Sequence, residues 1–106
     1  MSVEHRIYDM RMVDGTRHFA SLPEHYDVES PEWHRLRAHA DALEGAKVSA
    51  FVTDDITEAW IDFGYAGHAF SLNNQHGQWW FFVTDPTCPA AVLARVVDHF
   101  EQMLGP

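Results

Sequence analysis

Cysteine is almost absent from this 106-residue chain, and basic residues are scarce. The single Cys88 has no second cysteine to pair with, so an internal disulfide is excluded, and no CxxC or Cys/His zinc spacing is present. Seven Lys and Arg stand against sixteen Asp and Glu. So few cations cannot build a stripe that tracks phosphates, so no nucleic-acid partner is expected. No apolar run approaches the ~20 residues that a spanning helix needs, and no hydrophobic signal region follows Met1–Arg6. The expectation is a chain without a membrane partner, at home in the reducing cytoplasm.

The motifs that usually announce catalysis are missing as well. There is no G-x-S-x-G, Walker A, G-x-G-x-x-G or HExxH pattern, and no EF-hand loop. No catalytic residue, metal ligand or cofactor is therefore assigned, and an enzyme is the less favoured reading.

What is present is ordinary globular material with an excess of rings. The chain is 46% hydrophobic and 22% charged, and it carries four Trp, seven Phe and three Tyr. That length and balance predict one domain over residues 1–106, with 1–29 forming an N-terminal hairpin and acidic loop and 30–106 an α-ββββ-α core. The formal charge is −9 with histidine neutral, and eight protons on the eight histidines would take it to −1. A surface of this sign repels anionic polymers and membranes and would suit a basic partner.

Periodicity places the elements. Arg6–Val13 alternates, Asp14-Gly15 is a two-residue hairpin signal, and pairing Val13 with Thr16 sets Met10 opposite Phe19 and Ile7 opposite Leu22. Pro23–Glu29 reads as a loop. Ser30-Pro31 caps a helix carrying Trp33, Leu36, Ala40 and Leu43 at helical spacing, ended by Gly45. Lys47–Thr53 is a strand, and Asp54-Asp55 turns the chain. Trp60–Tyr65 then returns through Ala66-Gly67, placing Phe63 opposite Phe70, Ile61 opposite Leu72 and Asp62 opposite Ser71. Ala66 is a poor first turn residue, so a bulged turn is allowed here. Gln78–Thr84 is apolar on both faces and reads as a covered central strand. From Cys88-Pro89 to Leu104, an apolar stripe of Leu93, Val96, Val97, Phe100 and Leu104 predicts a docking helix. The fold class is α+β: an antiparallel meander of about four strands, extended by the N-terminal hairpin, with two helices on one face, in the order ββ-α-ββββ-α.

That arrangement leaves aromatic side chains over. If Ile61, Phe63, Phe70 and Leu72 lie under the helices, the opposite face carries Trp60 and two rings of the last strand, either Trp80 with Phe82 or Trp79 with Phe81. Monomers rarely expose so much contiguous apolar surface. Three covers are open: the N-terminal hairpin folding over the face with Tyr8, Met10 and Phe19, a second copy of the chain in a symmetric dimer, or a heterologous partner or small ligand.

Single residues are weighed in the same way. Cys88 beside a helix N-terminus could favour a thiolate, but Asp85 opposes it and no resolving cysteine exists, so we read it as structural. His34 and His39 are five apart and lie on different helix faces, while His68 and Asp62 fall on opposite sheet faces, so neither pair shares a ligand shell. Surface roles are the default for these and for His76, and His5, His18 and His25 are left unassigned. Asp54, Asp55, Glu58 and Asp62 gather at one strand entrance, which would suit a divalent-cation site or a basic contact, but without an EF-hand pattern solvated turn residues are favoured. Asp62 opposite Ser71 reads most simply as a cross-strand hydrogen-bonded pair.

Two functions are thus carried forward. The first is a small acidic, non-enzymatic protein-interaction domain, such as an inhibitor or immunity-type protein for a basic partner. The second is a small ligand-binding or enzymatic homodimer with its pocket on the aromatic outer sheet face. Both use the same residues: Trp60, Asp62, Ser71, Trp80 and Phe82, with Asp54, Asp55 and Glu58 at the rim.

Overall fold

Alternation along Trp60–Tyr65 and His68–Asn73 decides which side chains these segments can give to a core, and the tertiary structure follows it. The computed structural model of the protein describes residues 7–23, 32–53, 58–75 and 77–104. Two strands, β1 (Met10–Arg11) and β2 (Arg17–Pro23), precede helix α1 (Glu32–Ala42). Four more follow, β3 (Lys47–Thr53), β4 (Ala59–Tyr65), β5 (His68–Asn73) and β6 (Gln78–Val83), and helix α2 (Ala90–Leu104) closes the order. They form one six-stranded sheet, β1-β2-β6-β5-β4-β3, with every neighbouring pair antiparallel. The chain is α+β in the predicted order. The Ser30-Pro31 cap, the Pro23–Glu29 loop beyond Pro23, and Asp54-Asp55 lie outside the described residues.

One sheet face supplies the core. Ile61 and Phe63 of β4, Phe70 and Leu72 of β5, and Trp79, Phe81 and Val83 of β6 are all buried there. They join Trp33, Leu36, Ala40 and Leu43 from α1 and Leu93, Val96, Val97, Phe100 and Leu104 from α2 in a single cluster. Phe100 sits near its centre, its ring centroid 5.0 Å from Phe81 and 5.6 Å from Phe63. Burying each such side chain contributes about 1.5–3 kcal/mol, so this face accounts for most of what holds the helices down. The expected register holds throughout β4–β5: Phe63 faces Phe70, Ile61 faces Leu72 and Asp62 faces Ser71. No bulge intervenes at the turn, because Ala66 itself adopts a left-handed φ of 54° ahead of Gly67 at 81°.

The N-terminal hairpin departs from expectation by one residue. Met10 faces His18 and Arg11 faces Arg17, so Met10 does not meet Phe19. The turn chemistry explains the slip. Val13-Asp14-Gly15 forms a three-residue loop in which Gly15 N donates to Met12 O at 3.0 Å and Met12 N to Thr16 O at 2.8 Å. Gly15 has φ 92°, and Asp14 Oδ1 accepts from both the backbone N (3.0 Å) and the hydroxyl (2.7 Å) of Thr16. A loop with one more residue than the two-residue turn shifts the pairing, and a shift of one exchanges the faces. A bulge between His18 and Ala20 then turns Phe19 into the core, fully buried against Phe70 and Phe81. The hairpin therefore extends the sheet beside β6, and it covers the outer face only in part, its tip reaching Trp60 without burying it.

Candidate functional site

The outer face carries the alternate residues of the same strands. Along β4 these are Trp60 and Asp62, along β5 Ser71 and Asn73, and along β6 Trp80 and Phe82, with Trp60 opposite Asn73 and Asn73 opposite Trp80. The last strand thus presents Trp80 and Phe82 outward, while Trp79 and Phe81 go to the core. Trp80 is not bare. His18 of β2, itself only 2% exposed, stacks on it with ring centroids 4.2 Å apart and planes 14° from parallel. Tyr8 packs edge-on to His18 at 5.3 Å. The hairpin thus shields one of the surplus rings from the side.

Trp60 is the ring left uncovered. It is 39% exposed, and Val52, its cross-strand partner on β3, is 66% exposed. The indole is held in place, because Trp60 Nε1–H donates to Asp62 Oδ1 at 3.0 Å. Here the structure corrects the sequence reading: Asp62 does face Ser71, but its hydrogen bond goes to Trp60 along the same strand. Ser71 Oγ is buried and has no hydrogen-bond partner. Leaving a buried hydroxyl unpaired costs about 1–3 kcal/mol, so a site that retains one merits an explanation.

Two clefts flank Trp60 and share Gln75. The first, of about 230 Å³, is walled by Met12, Asp14 and Thr16 of the hairpin tip and by Trp60, Phe82 and Ser71 of the sheet. Asn73 completes its lining, with its Oδ1 accepting from Gln75 N at 3.2 Å. The second, of about 250 Å³, lies between Val52, Thr53, Glu58 and Trp60. Among the described residues each cleft is lined by one carboxylate, Asp14 in the first and Glu58 in the second, and by no Lys or Arg. Asp14 is held below the usual carboxylate range, first by the backbone N–H of Thr16 and then by its hydroxyl, so it carries its charge at neutral pH. A third, open groove of about 730 Å³ runs past Asp62, Ser71, His68 and Lys47 at the other end of the strands. It is the largest of the three, but among the described residues it mixes charges of both signs and lacks Trp60.

Of the residues singled out in the sequence, the structure brings Trp60, Ser71 and Phe82 together in one cleft, puts Glu58 in the neighbouring one, and places Asp62 behind the indole. Trp80 belongs to the stack with His18 and lines none of the three depressions. Asp54 and Asp55 lie outside the described residues. Sequence reading missed Met12, Asp14, Thr16 and Gln75. The Asp14-Gly15 signal identified the turn, but only the register and the curl of the hairpin put its tip beside Trp60.

The remaining titratable groups point elsewhere. Cys88 is 3% exposed, and burial, with Asp85 adding to it, pushes its thiol above the ordinary value. Such a group is a packed apolar side chain at neutral pH. Among the described residues no three of His, Cys, Asp and Glu lie close enough to hold a metal ion. No helix among them is long and apolar enough to cross a membrane.

Fold and surface together define an antiparallel-sheet α+β domain with one face packed under helices and an aromatic outer face on which Trp60 stays exposed. No protein-family model matches the chain, and no curated protein or solved structure gives a significant match.

Proposed function

We propose that this chain is a non-enzymatic protein-interaction domain that docks a basic partner through its outer sheet face, in the manner of a small inhibitor or immunity-type protein. The observation that carries this reading is the setting of Trp60. A large ring stands 39% exposed, is fixed by Asp62, and is flanked by two clefts that, among the described residues, each hold a carboxylate and no lining Lys or Arg. Aromatic anchors surrounded by a polar rim are the usual energetic centres of protein interfaces, and a net charge of −9 would steer a basic partner toward them. The clefts beside Trp60, at about 230 and 250 Å³, fall below the ~300–1,000 Å³ of sites that enclose a drug-sized molecule. Their size favours side chains of a macromolecule over a free ligand.

The test is capture from the native host on immobilised chain, with Trp60→Ala alongside. Trp60 is a surface residue, so the substitution should cost at most about 1 kcal/mol of stability and leave the fold intact. The expected result is a basic protein that is retained by the wild type, released as salt rises, and lost with Trp60→Ala. A partner held equally by both forms would overturn the assignment. So would a homodimer in sedimentation that Trp60→Ala abolishes, since it would show the face to be covered by a second copy.

A further inference from the structure

We propose that the cleft between the hairpin tip and Trp60 is a socket for a single guanidinium group, so that the partner inserts an arginine there; this rests on the interface reading above and makes it specific. The cleft's chemistry is one-sided. Among the described residues its one charged group is the Asp14 carboxylate, and its aromatic walls are Trp60 and Phe82. A planar cation that keeps its charge under all conditions stacks on such rings and pairs with such a carboxylate.

The acceptors are also arranged for a group with several donors. Asp14 Oδ1 is occupied by Thr16, which leaves Oδ2 for an incoming N–H. The Thr16 hydroxyl, which also lines the cleft and gives its proton to Asp14, keeps lone pairs that make it a second acceptor. A guanidinium presents five N–H donors in a rigid fork and can reach a carboxylate and a hydroxyl together, which an ammonium satisfies less well. An anionic ligand would meet the Asp14 charge with no compensating cation among the described lining residues. A purely apolar one would desolvate the Asp14 carboxylate and offer it no counter-charge. The volume of about 230 Å³ fits the end of one long side chain.

The test uses acetyl-arginine methylamide, with acetyl-citrulline methylamide as its neutral isostere, titrated into the full chain and followed by ¹H–¹⁵N spectra. Arginine amide should shift the Trp60 indole N–H and the Thr16 and Ser71 amides saturably, with a dissociation constant on the order of millimolar for so small a probe. Citrulline amide should bind at least about tenfold more weakly, since it lacks the charge. Asp14→Asn keeps the Oδ1 acceptor for Thr16 and hence the turn, and should weaken arginine binding about five- to tenfold with the remaining spectrum unchanged. Absence of a saturable shift, equal binding of citrulline, or shifts elsewhere on the surface would overturn the proposal. If a basic partner is captured through Trp60 while arginine amide does not bind, the socket fails and the interface stands. If arginine amide binds as described and no partner is captured, the socket stands and the interface fails.

Discussion

The imidazoles of His39 in α1 and His99 in α2 lie face to face, with centroids 4.0 Å apart and planes 13° from parallel, and each Nε2 donates to the other's backbone carbonyl at 2.6 Å. Because both acceptors are carbonyl oxygens, both Nε2 atoms carry hydrogen. The pair ties the two helices together at a point where sixty residues separate them in sequence. Burial holds His99 below its ordinary value of 6.5; the proximity of His39 lowers it further, against the opposing pull of the hydrogen bond to the His39 carbonyl.

A stability change with a definite sign follows from that depression. The unfolded chain takes up the His99 proton near 6.5, whereas the folded chain resists it. Stability is therefore whole above about pH 6.5, falls as pH drops from there to the folded value, and levels off below it. His99→Gln retains an N–H donor at the same reach without a titrating ring. Urea midpoints for this variant should decline less than those of the wild type between pH 7.5 and 5.5. Parallel declines would show that other groups carry the pH dependence.

Acid should also change the chain's solution behaviour. Protonating eight histidines removes most of a charge of −9, and with it the repulsion that keeps molecules apart. Light scattering should rise at about pH 5 to 5.5. A flat trace from pH 7.5 to 5 would contradict this.

Ala66 occupies the first turn position between β4 and β5 at φ 54° and is exposed. Left-handed backbone costs an alanine about 1–2 kcal/mol, and asparagine before glycine is the favoured pair for such a turn. Ala66→Asn should therefore stabilise the domain by about 1 kcal/mol and raise Tm by about 4–8 °C. Calorimetry showing no gain would mean that the turn relaxes without strain.

Cys88 should be chemically silent in the native state. Its burial and raised thiol value predict that a disulfide reagent labels it only as fast as the domain opens, with labelling accelerating in urea along the unfolding curve. Immediate labelling of native protein would place the thiol at the surface.

The central sheet was legible in the sequence because its evidence is local. Trp60–Tyr65 and His68–Asn73 alternate, and the two-residue turn between them sets one register in which Ile61 meets Leu72 and Phe63 meets Phe70. The stripe on α2 was equally plain. The first hairpin misled for a physical reason: Asp14-Gly15 serves both two- and three-residue loops. The choice was made by Thr16 bonding to the Asp14 side chain and by Phe19 entering the core through a bulge, neither of which has a periodic signature.

Composition and alternation thus settled the fold class, the order of elements and the outward placement of Trp60, since those depend on period and on burying apolar area. Which rings stay open, and what stands beside them, was decided in three dimensions. His18 came to lie on Trp80 and the Asp14 tip beside Trp60 because β2 joined the sheet at β6. Asp62 took the indole N–H and left Ser71 Oγ unpaired. Pairing between segments some sixty residues apart is set by packing of the whole core, and the character of the outer face depends on it.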